Sequence, residues 1–356
     1  MGGPLSLKLA LDYWPGATHE PGAGRYVREF ARALLELEDR PETTLIEWGR
    51  GARVAGALDG GSLPSSARYR RVALPRSWLP RASRFGWGIE RWANSPDLVH
   101  AVALPAAFPK PRRARLSLAV SAPPSAPTTL QHADLLVCFS EHARRELEQT
   151  GSSPERILQV PVGCEHFVSA RSERGPLPRV LALGRVDESR SPLALLAACE
   201  RLHDAGAQVE LTFLGRIGDA YDELRARATR SRISSRVRFD SRPDDAKVRG
   251  ALASHDVLVQ LARDDWTPVT PLEALACGLE LVVSRLPAYV EALGEHPTWV
   301  APAPEPPELA DALARALACS RDHDRRSSAA ALAARFTWQR NAALTLAGWR
   351  SILGLR

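Results

Sequence analysis

The sequence predicts an α/β protein with two Rossmann-like parallel-sheet domains facing a central cleft. Short apolar runs alternate with helical periodicity from end to end, which is typical of parallel sheets covered by helices. A length of 356 residues is comfortable for two cores of ordinary size. The polar stretch Arg171 to Pro178, broken by glycine and proline, suits an interdomain linker. We therefore expect domains at 1–172 and 173–335.

The first half contains β-rich runs and two helical segments. Arg25 to Leu37 carries apolar residues at helical spacing. Ser140 is expected to cap a helix beginning at Glu141, because its hydroxyl can accept a bond from a first-turn amide. The expected strands are Leu7–Leu11, Thr44–Trp48, Leu98–Val102, Leu116–Val120, Leu135–Phe139 and Ile157–Val160.

Predicted strands and helices alternate more regularly in the second half of the chain. The expected strands are Val180–Leu183, Val209–Leu214, Val237–Phe239, Val257–Val259 and Leu281–Val283. The expected helices are Pro192–Ala205, Ala220–Ser231, Asp244–Ser254, Thr270–Cys277 and Ala288–Leu293. Sheets of this kind bind ligands in the crevice beyond the carboxyl ends of their strands.

Composition narrows the class of protein. Hydrophobic residues make up 45% and charged residues 25%, the balance of a folded globular protein. The five cysteines are scattered and form no C-x-x-C pair, which argues against a disulfide framework and a zinc site. No run of about 20 apolar residues and no signal-peptide pattern are present. We therefore expect a cytoplasmic protein.

Positive charge is concentrated in residues 68–91, where Trp78, Phe85 and Trp87 lie among arginines. Two interpretations stay open: a solvated helix face with core aromatics, or a surface that meets an anionic acceptor or membrane headgroups. The second would place the protein peripherally at the inner membrane face. The net charge of +6 does not indicate nucleic acid binding, because the arginines do not fall on one helix and no reader motif is present.

A candidate phosphate site follows the strand Val180–Leu183. Arg185 and Arg190 stand five residues apart in the loop that leads into the next helix. Such a loop offers free amides and a positive helix dipole, and two guanidinium groups there could hold a diphosphate. The alternative is a pair of ordinary structural arginines.

Two acids and two glycines complete the candidate site. Asp265 lies in the loop after Val257–Val259, and Glu273 lies in the following helix. Carboxylates there could accept bonds from ribose or sugar hydroxyls and stabilise positive charge on a sugar ring. The alternative is a capping aspartate and an ordinary helical glutamate. Gly22 and Gly24 would let the backbone approach a phosphate or sugar. The alternative, which the lone G-x-G pattern favours, is a tight turn.

The ordered set of these segments resembles the retaining glycosyltransferases of family 4, which have the GT-B fold. The resemblance runs from Leu7 to about Leu353. It rests on GAGRYVREFARALL, DLVHAV, HADLLVCFSEHARREL, RILQVPVGCEHF, LALGRVDESRSPLALLAACERL, LTFLGR and the stretch from VRFDSRPDD to ELVVS. FTWQRNAALTLAGWRSIL is similar to the family's closing helix, so 336–356 is expected to cross back onto the acceptor-binding N-terminal domain.

The resemblance implies a reaction and a role for each site residue. Arg185 and Arg190 would grip the diphosphate of a UDP- or GDP-sugar, Glu273 would bond the ribose, and Asp265 would address the transferred sugar. Donor contacts are also implied for Gly22, Gly24, Gly184, Thr270 and Leu272. The sugar would pass with retention to a glycan, lipid-linked or small-molecule acceptor. No metal and no cofactor are implied, since arginines and helix amides neutralise the phosphates.

Two departures from the family pattern keep other functions open. Asp265 replaces the usual glutamate, and the segment after Val120 lacks the histidine-aspartate pair that the family commonly has near the reacting sugar. A degenerate GT-B protein that binds a nucleotide sugar or a partner without catalysis is therefore the alternative. A sugar epimerase of the same fold is a third candidate, and the shortage of acid–base residues counts against it.

Overall fold

The computed structural model describes residues 7–18, 22–49, 67–79, 81, 85, 87–103, 111–123, 127–168, 175–320 and 322–355. Residues 171–174 of the predicted linker lie outside these ranges, as do His19, Glu20 and Pro21, which precede Gly22.

The chain divides into two compact units. The first unit runs to Gly163 and resumes at Thr337, and the second unit runs from Cys164 to Phe336. The second unit thus begins before the predicted residue 173. The reason is local packing: the turn that starts at Cys164 belongs to the second unit, where the Cys277 Sγ lies 3.4 Å from the Phe167 carbonyl oxygen.

The described residues of the first unit contain a seven-stranded sheet in the order β3-β2-β1-β4-β5-β6-β7. All neighbouring strands in it are parallel. The strands are β1 (Lys8–Asp12), β2 (Glu42–Trp48), β3 (Arg68–Val72), β4 (Leu98–Val102), β5 (Arg115–Ala119), β6 (Leu135–Cys138) and β7 (Ile157–Gln159). Their apolar residues are mostly buried, as expected of strands covered on both faces.

The described residues of the second unit contain a six-stranded sheet in the order β10-β9-β8-β11-β12-β13, again all parallel. The strands are β8 (Arg179–Leu183), β9 (Glu210–Leu214), β10 (Val237–Asp240), β11 (Val257–Gln260), β12 (Glu280–Ser284) and β13 (Thr298–Val300). The prediction of two parallel-sheet α/β domains is confirmed.

The α-helices of the described chain are α1 (Trp14–Ala17), α2 (Ala23–Glu36), α3 (Glu141–Gln149), α4 (Pro192–Asp204), α5 (Tyr221–Thr229), α6 (Asp245–Ser254), α7 (Val269–Ala276), α8 (Pro287–Leu293), α9 (Pro306–Cys319), α10 (His323–Ala333) and α11 (Trp338–Leu353). The predicted cap of α3 is confirmed, since the Ala143 amide donates to Ser140 Oγ at 3.0 Å. In the second unit, α4, α5 and α9 share an apolar core with β8, β9 and β11. None of the helices in the described ranges combines the length and apolar character that crossing a bilayer requires.

Helix α11 completes the first unit. Its Trp349 is fully buried and donates from Nε1 to Ser117 Oγ on β5 at 3.0 Å. The same hydroxyl lies 3.0 Å from His100 Nδ1, and His100 Nε2 lies 3.1 Å from the hydroxyl of Tyr26 on α2. Burial lowers the pKa of His100 to about 3, so the ring is neutral near pH 7. His100 therefore has a structural role.

Candidate functional site

A pocket lies at the carboxyl ends of β8 and β11, where the strand order of the second sheet reverses. From β8 the chain passes to β9 on one side, whereas β11 lies on the other side. Parallel α/β sheets bind ligands at this kind of switch point. The residues that line the pocket are Ala182, Leu183, Gly184, Arg185, Val186, Arg190, Pro192, Leu195, Phe213, Val259, Gln260 and Leu261.

The loops after β8 and β9 touch each other through glycine. Gly184 has φ +128°, a value that favours glycine, and its amide donates to the Leu214 carbonyl at 3.0 Å. A Cβ added to Gly215 would lie 1.6 Å from the Gly184 carbonyl oxygen. The backbone of the β8 loop is therefore supported directly by the backbone of the β9 loop.

Both predicted arginines line this one pocket, in different environments. The Arg185 side chain is 59% exposed, and its Nε lies 3.2 Å from Asp187 Oδ1. Arg190 folds back over Gly184, where a Cβ would lie 3.6 Å from its Cζ. The side-chain amide of Gln260 has one orientation that satisfies both of its polar neighbours. In that orientation its oxygen accepts from Arg190 Nη1, and its nitrogen donates to the Leu183 carbonyl at 3.0 Å. Arg190 is thus held in place, while Arg185 faces solvent.

Ser191 joins this loop to helix α4 in a left-handed conformation, with φ 45° and ψ 47°. This region costs a non-glycine residue about 1–2 kcal/mol. Pro192 then occupies the first turn of α4 and lines the pocket. Non-glycine residues kept in this conformation are concentrated at functional sites.

Asp265 is held from two sides in the loop after β11. Its Oδ1 accepts from the Thr267 amide at 3.1 Å, and its Oδ2 accepts from the Tyr289 hydroxyl at 2.9 Å. Burial raises the pKa of Asp265, and the positive charge of Arg190 opposes that rise. The structure therefore brings Arg190 and Asp265 into one electrostatic cluster.

Glu273 is fully buried in helix α7, where its Oε1 lies 3.0 Å from His166 Nε2. The His166 side chain is 4% exposed. Thr270 lies half-buried in the first turn of the same helix. Leu272 is fully buried in the core, so only its backbone could meet a ligand. Donor binding by Thr270, Leu272 and Glu273 stays a prediction.

Gly22 and Gly24 lie in the first unit, at the start of α2. Gly22 has φ +68° and precedes α2, and its carbonyl accepts from the Tyr26 amide at 2.9 Å. Gly24 is buried in the first turn of that helix. The backbone conformation before α2 thus explains Gly22, and contact of either glycine with a donor stays a prediction.

Sequence reasoning missed four residues that build the site. Gln260 could have been found from the sequence, because a polar residue at the end of the otherwise apolar strand β11 indicates a functional position. Gly215 and His166 stood inside motifs that the resemblance used, without a role of their own. Tyr289 carried no local signal, because its partner Asp265 lies 24 residues earlier.

Residues 177–319, which include the pocket, Asp265 and Glu273, match the family model of the glycosyl transferases group 1. The matched stretch is therefore similar to a glycosyl transferases group 1 domain, and it lies within the second unit. The prediction of a GT-B glycosyltransferase relative is confirmed at this level.

Two relatives that are similar to this chain in sequence are also named as sugar transferases. The GDP-mannose-dependent alpha-(1-6)-phosphatidylinositol dimannoside mannosyltransferase of Mycobacterium tuberculosis is 29% identical over 230 residues, which are 62% of this chain. The match spans 58% of that relative's length. The lipopolysaccharide core biosynthesis glycosyltransferase LpsE of Rhizobium meliloti is 27% identical over 286 residues, 78% of this chain and 77% of LpsE.

Solved structures show the same architecture. Sucrose-phosphate synthase from Thermosynechococcus elongatus superposes with a TM-score of 0.77 at 15% sequence identity, covering 98% of this chain and 99% of that one. This chain therefore has the fold of GT-B glycosyltransferases, with two parallel-sheet domains that follow each other along the sequence.

Proposed function

We propose that the chain is a retaining glycosyltransferase whose second unit binds the nucleotide-sugar donor. The observation that carries the proposal is the pocket at the switch point of the second sheet, lined by Arg185 and Arg190. Two guanidinium groups beside a helix start are suited to a diphosphate, which they can contact through paired N–H groups. The mycobacterial relative is named as GDP-mannose-dependent, which supports a nucleotide-sugar donor. GDP-sugars are therefore the first candidates, together with the UDP-sugars that the sequence resemblance implies.

In the proposed reaction, the bond from the anomeric carbon to the diphosphate breaks, and an acceptor hydroxyl attacks from the same face. The hydroxyl proton passes to the departing diphosphate oxygen. Arg185 and Arg190 stabilise the negative charge on the leaving group, so the mechanism does not require a metal ion. Asp265 accepts a hydrogen bond from the transferred sugar, and the first unit binds the acceptor.

The acceptor in this proposal is a glycan or a lipid-linked glycan. The names of the two relatives support this class, since one acts on a phosphatidylinositol dimannoside and the other serves lipopolysaccharide core synthesis. A small-molecule acceptor is the remaining possibility. Transfer assays with a mannosylated phosphatidylinositol, a lipopolysaccharide core acceptor and a free sugar would separate these classes.

The arginines give the direct test. Calorimetric titration with GDP-mannose and UDP-glucose measures donor affinity for Arg185→Ala, Arg190→Ala and the control Arg232→Ala. Arg232 is an exposed arginine of the same unit that pairs with Asp204 and does not line the pocket. A lost charged hydrogen bond of about 1.5–3 kcal/mol weakens binding by roughly 10- to 150-fold. Wild-type affinity in Arg190→Ala would end the proposal.

A second candidate is a protein that binds a nucleotide sugar without turnover. It is favoured by two departures from the family pattern: Asp265 stands where glutamate is usual, and the segment after Val120 lacks the histidine-aspartate pair. Donor binding without nucleotide release, with all three acceptor classes, would favour this candidate over transfer.

Peripheral membrane contact through residues 68–91 is also part of the proposal. The alternative interpretation, a solvated helix face, is wrong for residues 68–72, which form the edge strand β3. Trp78, Phe85 and Trp87 are 53%, 77% and 44% exposed. The guanidinium of Arg81 lies 5.5 Å from the Trp78 ring, and that of Arg91 lies 5.3 Å from the Trp87 ring. Exposed tryptophan beside arginine suits the interface of an anionic bilayer.

Vesicle sedimentation tests this surface. We expect binding to vesicles of phosphatidylcholine with phosphatidylglycerol, and weaker binding to phosphatidylcholine alone. Trp78→Ala combined with Trp87→Ala should reduce binding, whereas Leu344→Ala, which removes another exposed apolar side chain of the first unit, should not. Equal binding by all three proteins would remove the surface from the proposal.

A further inference from the structure

The phenol of Tyr289 lies behind the acid that the proposed function assigns to the transferred sugar. Tyr289 is on helix α8, which follows β12, and its side chain is fully buried. Its hydroxyl donates to Asp265 Oδ2 at 2.9 Å, while the Thr267 amide donates to Oδ1 at 3.1 Å. Each carboxylate oxygen therefore has one protein donor and retains lone-pair capacity for a second hydrogen bond.

The Thr267 amide and the Tyr289 hydroxyl together restrict rotation of the Asp265 side chain. Asp265 itself lies in a loop and is only half-buried. Burial raises the pKa of both Asp265 and Tyr289, and the positive charge of Arg190 opposes that rise at both groups. A carboxylate held by an amide on one side and a phenol on the other keeps one orientation relative to this cation.

We propose that Tyr289 is the positioning residue of the donor site, where its hydroxyl fixes the carboxylate of Asp265 toward the transferred sugar. The inference rests on the proposed function for the role of Asp265. Tyr289 itself is buried, so it acts on the sugar through Asp265. A preorganised acceptor matters most where charge develops, and its loss lowers the rate more than the affinity.

Tyr289→Phe is the variant that removes only the hydroxyl. Loss of one hydrogen bond to a charged group is expected to reduce kcat about tenfold to hundredfold and to change the donor KM by less than about threefold. The matched control is Tyr221→Phe. The Tyr221 hydroxyl of the same unit accepts from Arg225 Nη1 at 3.3 Å, at the surface and outside the pocket. Wild-type kcat in Tyr289→Phe would overturn the proposal.

A double-mutant cycle with Asp265→Asn separates positioning from a general structural effect. If Tyr289 acts through Asp265, the double variant is no slower than Asp265→Asn alone. Additive losses would overturn the proposal. Melting temperatures of all four proteins are measured first, and the kinetics, with GDP-mannose and UDP-glucose, are run below the lowest of them.

A titration keeps the test independent of turnover. The Tyr289 hydrogen bond stabilises the charged carboxylate, so its removal should raise the pKa of Asp265 further. Carboxyl ¹³C NMR of wild type and Tyr289→Phe measures this pKa, and an unchanged value would refute the contact. If wild type neither binds nor transfers from any donor, the proposed function fails instead, and the titration still decides whether Tyr289 holds Asp265.

Discussion

Gly215→Ala gives a sharp test of how the pocket is built. The added methyl carbon would lie 1.6 Å from the Gly184 carbonyl oxygen and 2.3 Å from its carbonyl carbon. Both atoms are backbone, so no side chain can rotate away. The same strand end is pinned by the Gly215 amide, which donates to the Asp240 carbonyl at 2.9 Å. The loop after β8 must therefore move.

The size of the effect follows from these contacts. The distance from Cβ to the oxygen must grow from 1.6 Å to at least 3.0 Å. Overpacking of this kind costs about 1–3 kcal/mol. Losing the bond from the Gly184 amide to the Leu214 carbonyl would add about 0.5–1.5 kcal/mol. Because Gly184 adjoins Arg185 and contacts Arg190, donor affinity should fall with stability.

Gly250→Ala is the matched control. Gly250 lies in helix α6 with nothing within 4 Å of an added Cβ, so alanine there should stabilise the protein by about 0.5–1 kcal/mol. Urea unfolding and titration with GDP-mannose and UDP-glucose would be compared for the three proteins. If Gly215→Ala matches wild type in both measurements, the reasoning about the paired loops is wrong.

Three further changes probe the buried groups. Glu273→Gln keeps the size of the side chain and should weaken donor binding in calorimetry, and an unaltered Kd would count against a ribose role. His166→Phe removes the partner 3.0 Å from Glu273 and should lower the free energy of unfolding by about 1.5–3 kcal/mol, measured in urea, whereas an unchanged value would show that the contact contributes little. His100 has a folded pKa of about 3, below its unfolded value of 6.5, so stability is full above pH 6.5 and is lost as pH falls toward 3, by about 1.4 kcal/mol per pH unit. His100→Gln should flatten that part of the curve, and an unflattened curve would refute the assignment.

The strands of both sheets were largely predictable because parallel strands buried on both faces appear as continuous apolar runs. Two strands escaped. β13 comprises only Thr298, Trp299 and Val300 between Pro297 and the proline-rich stretch 301–307, so no continuous apolar run marks it in the sequence. β3 contains three arginines and lies at the sheet edge, where Arg68 pairs with Glu42 at 2.7 Å. Charge at an edge strand discourages pairing with other chains, and it also hides the strand from a search for apolar runs.

A residue of the candidate site was predictable only where its side-chain type suited a ligand and its place in the sequence, between a strand and a helix, suited a binding loop. Arg185 and Arg190 follow a strand and precede a helix, so the loop itself identified them. Tyr289 and His166 act through partners that folding brings from 24 and 107 positions away in the sequence. Their spacing could not indicate these contacts, because only the sheet order decides which loops become neighbours.

Helix α11 has a consequence for the order in which the molecule forms. Trp349 fills the core of the first unit, yet a ribosome synthesises it only after all the residues of the second unit. The sheet of the first unit is synthesised earlier, but part of its apolar face stays uncovered until α11 is made. The sheet of the second unit is synthesised later and can complete its folding first. Chaperone dependence during synthesis should accordingly track the first unit, even though its strands emerge before the others.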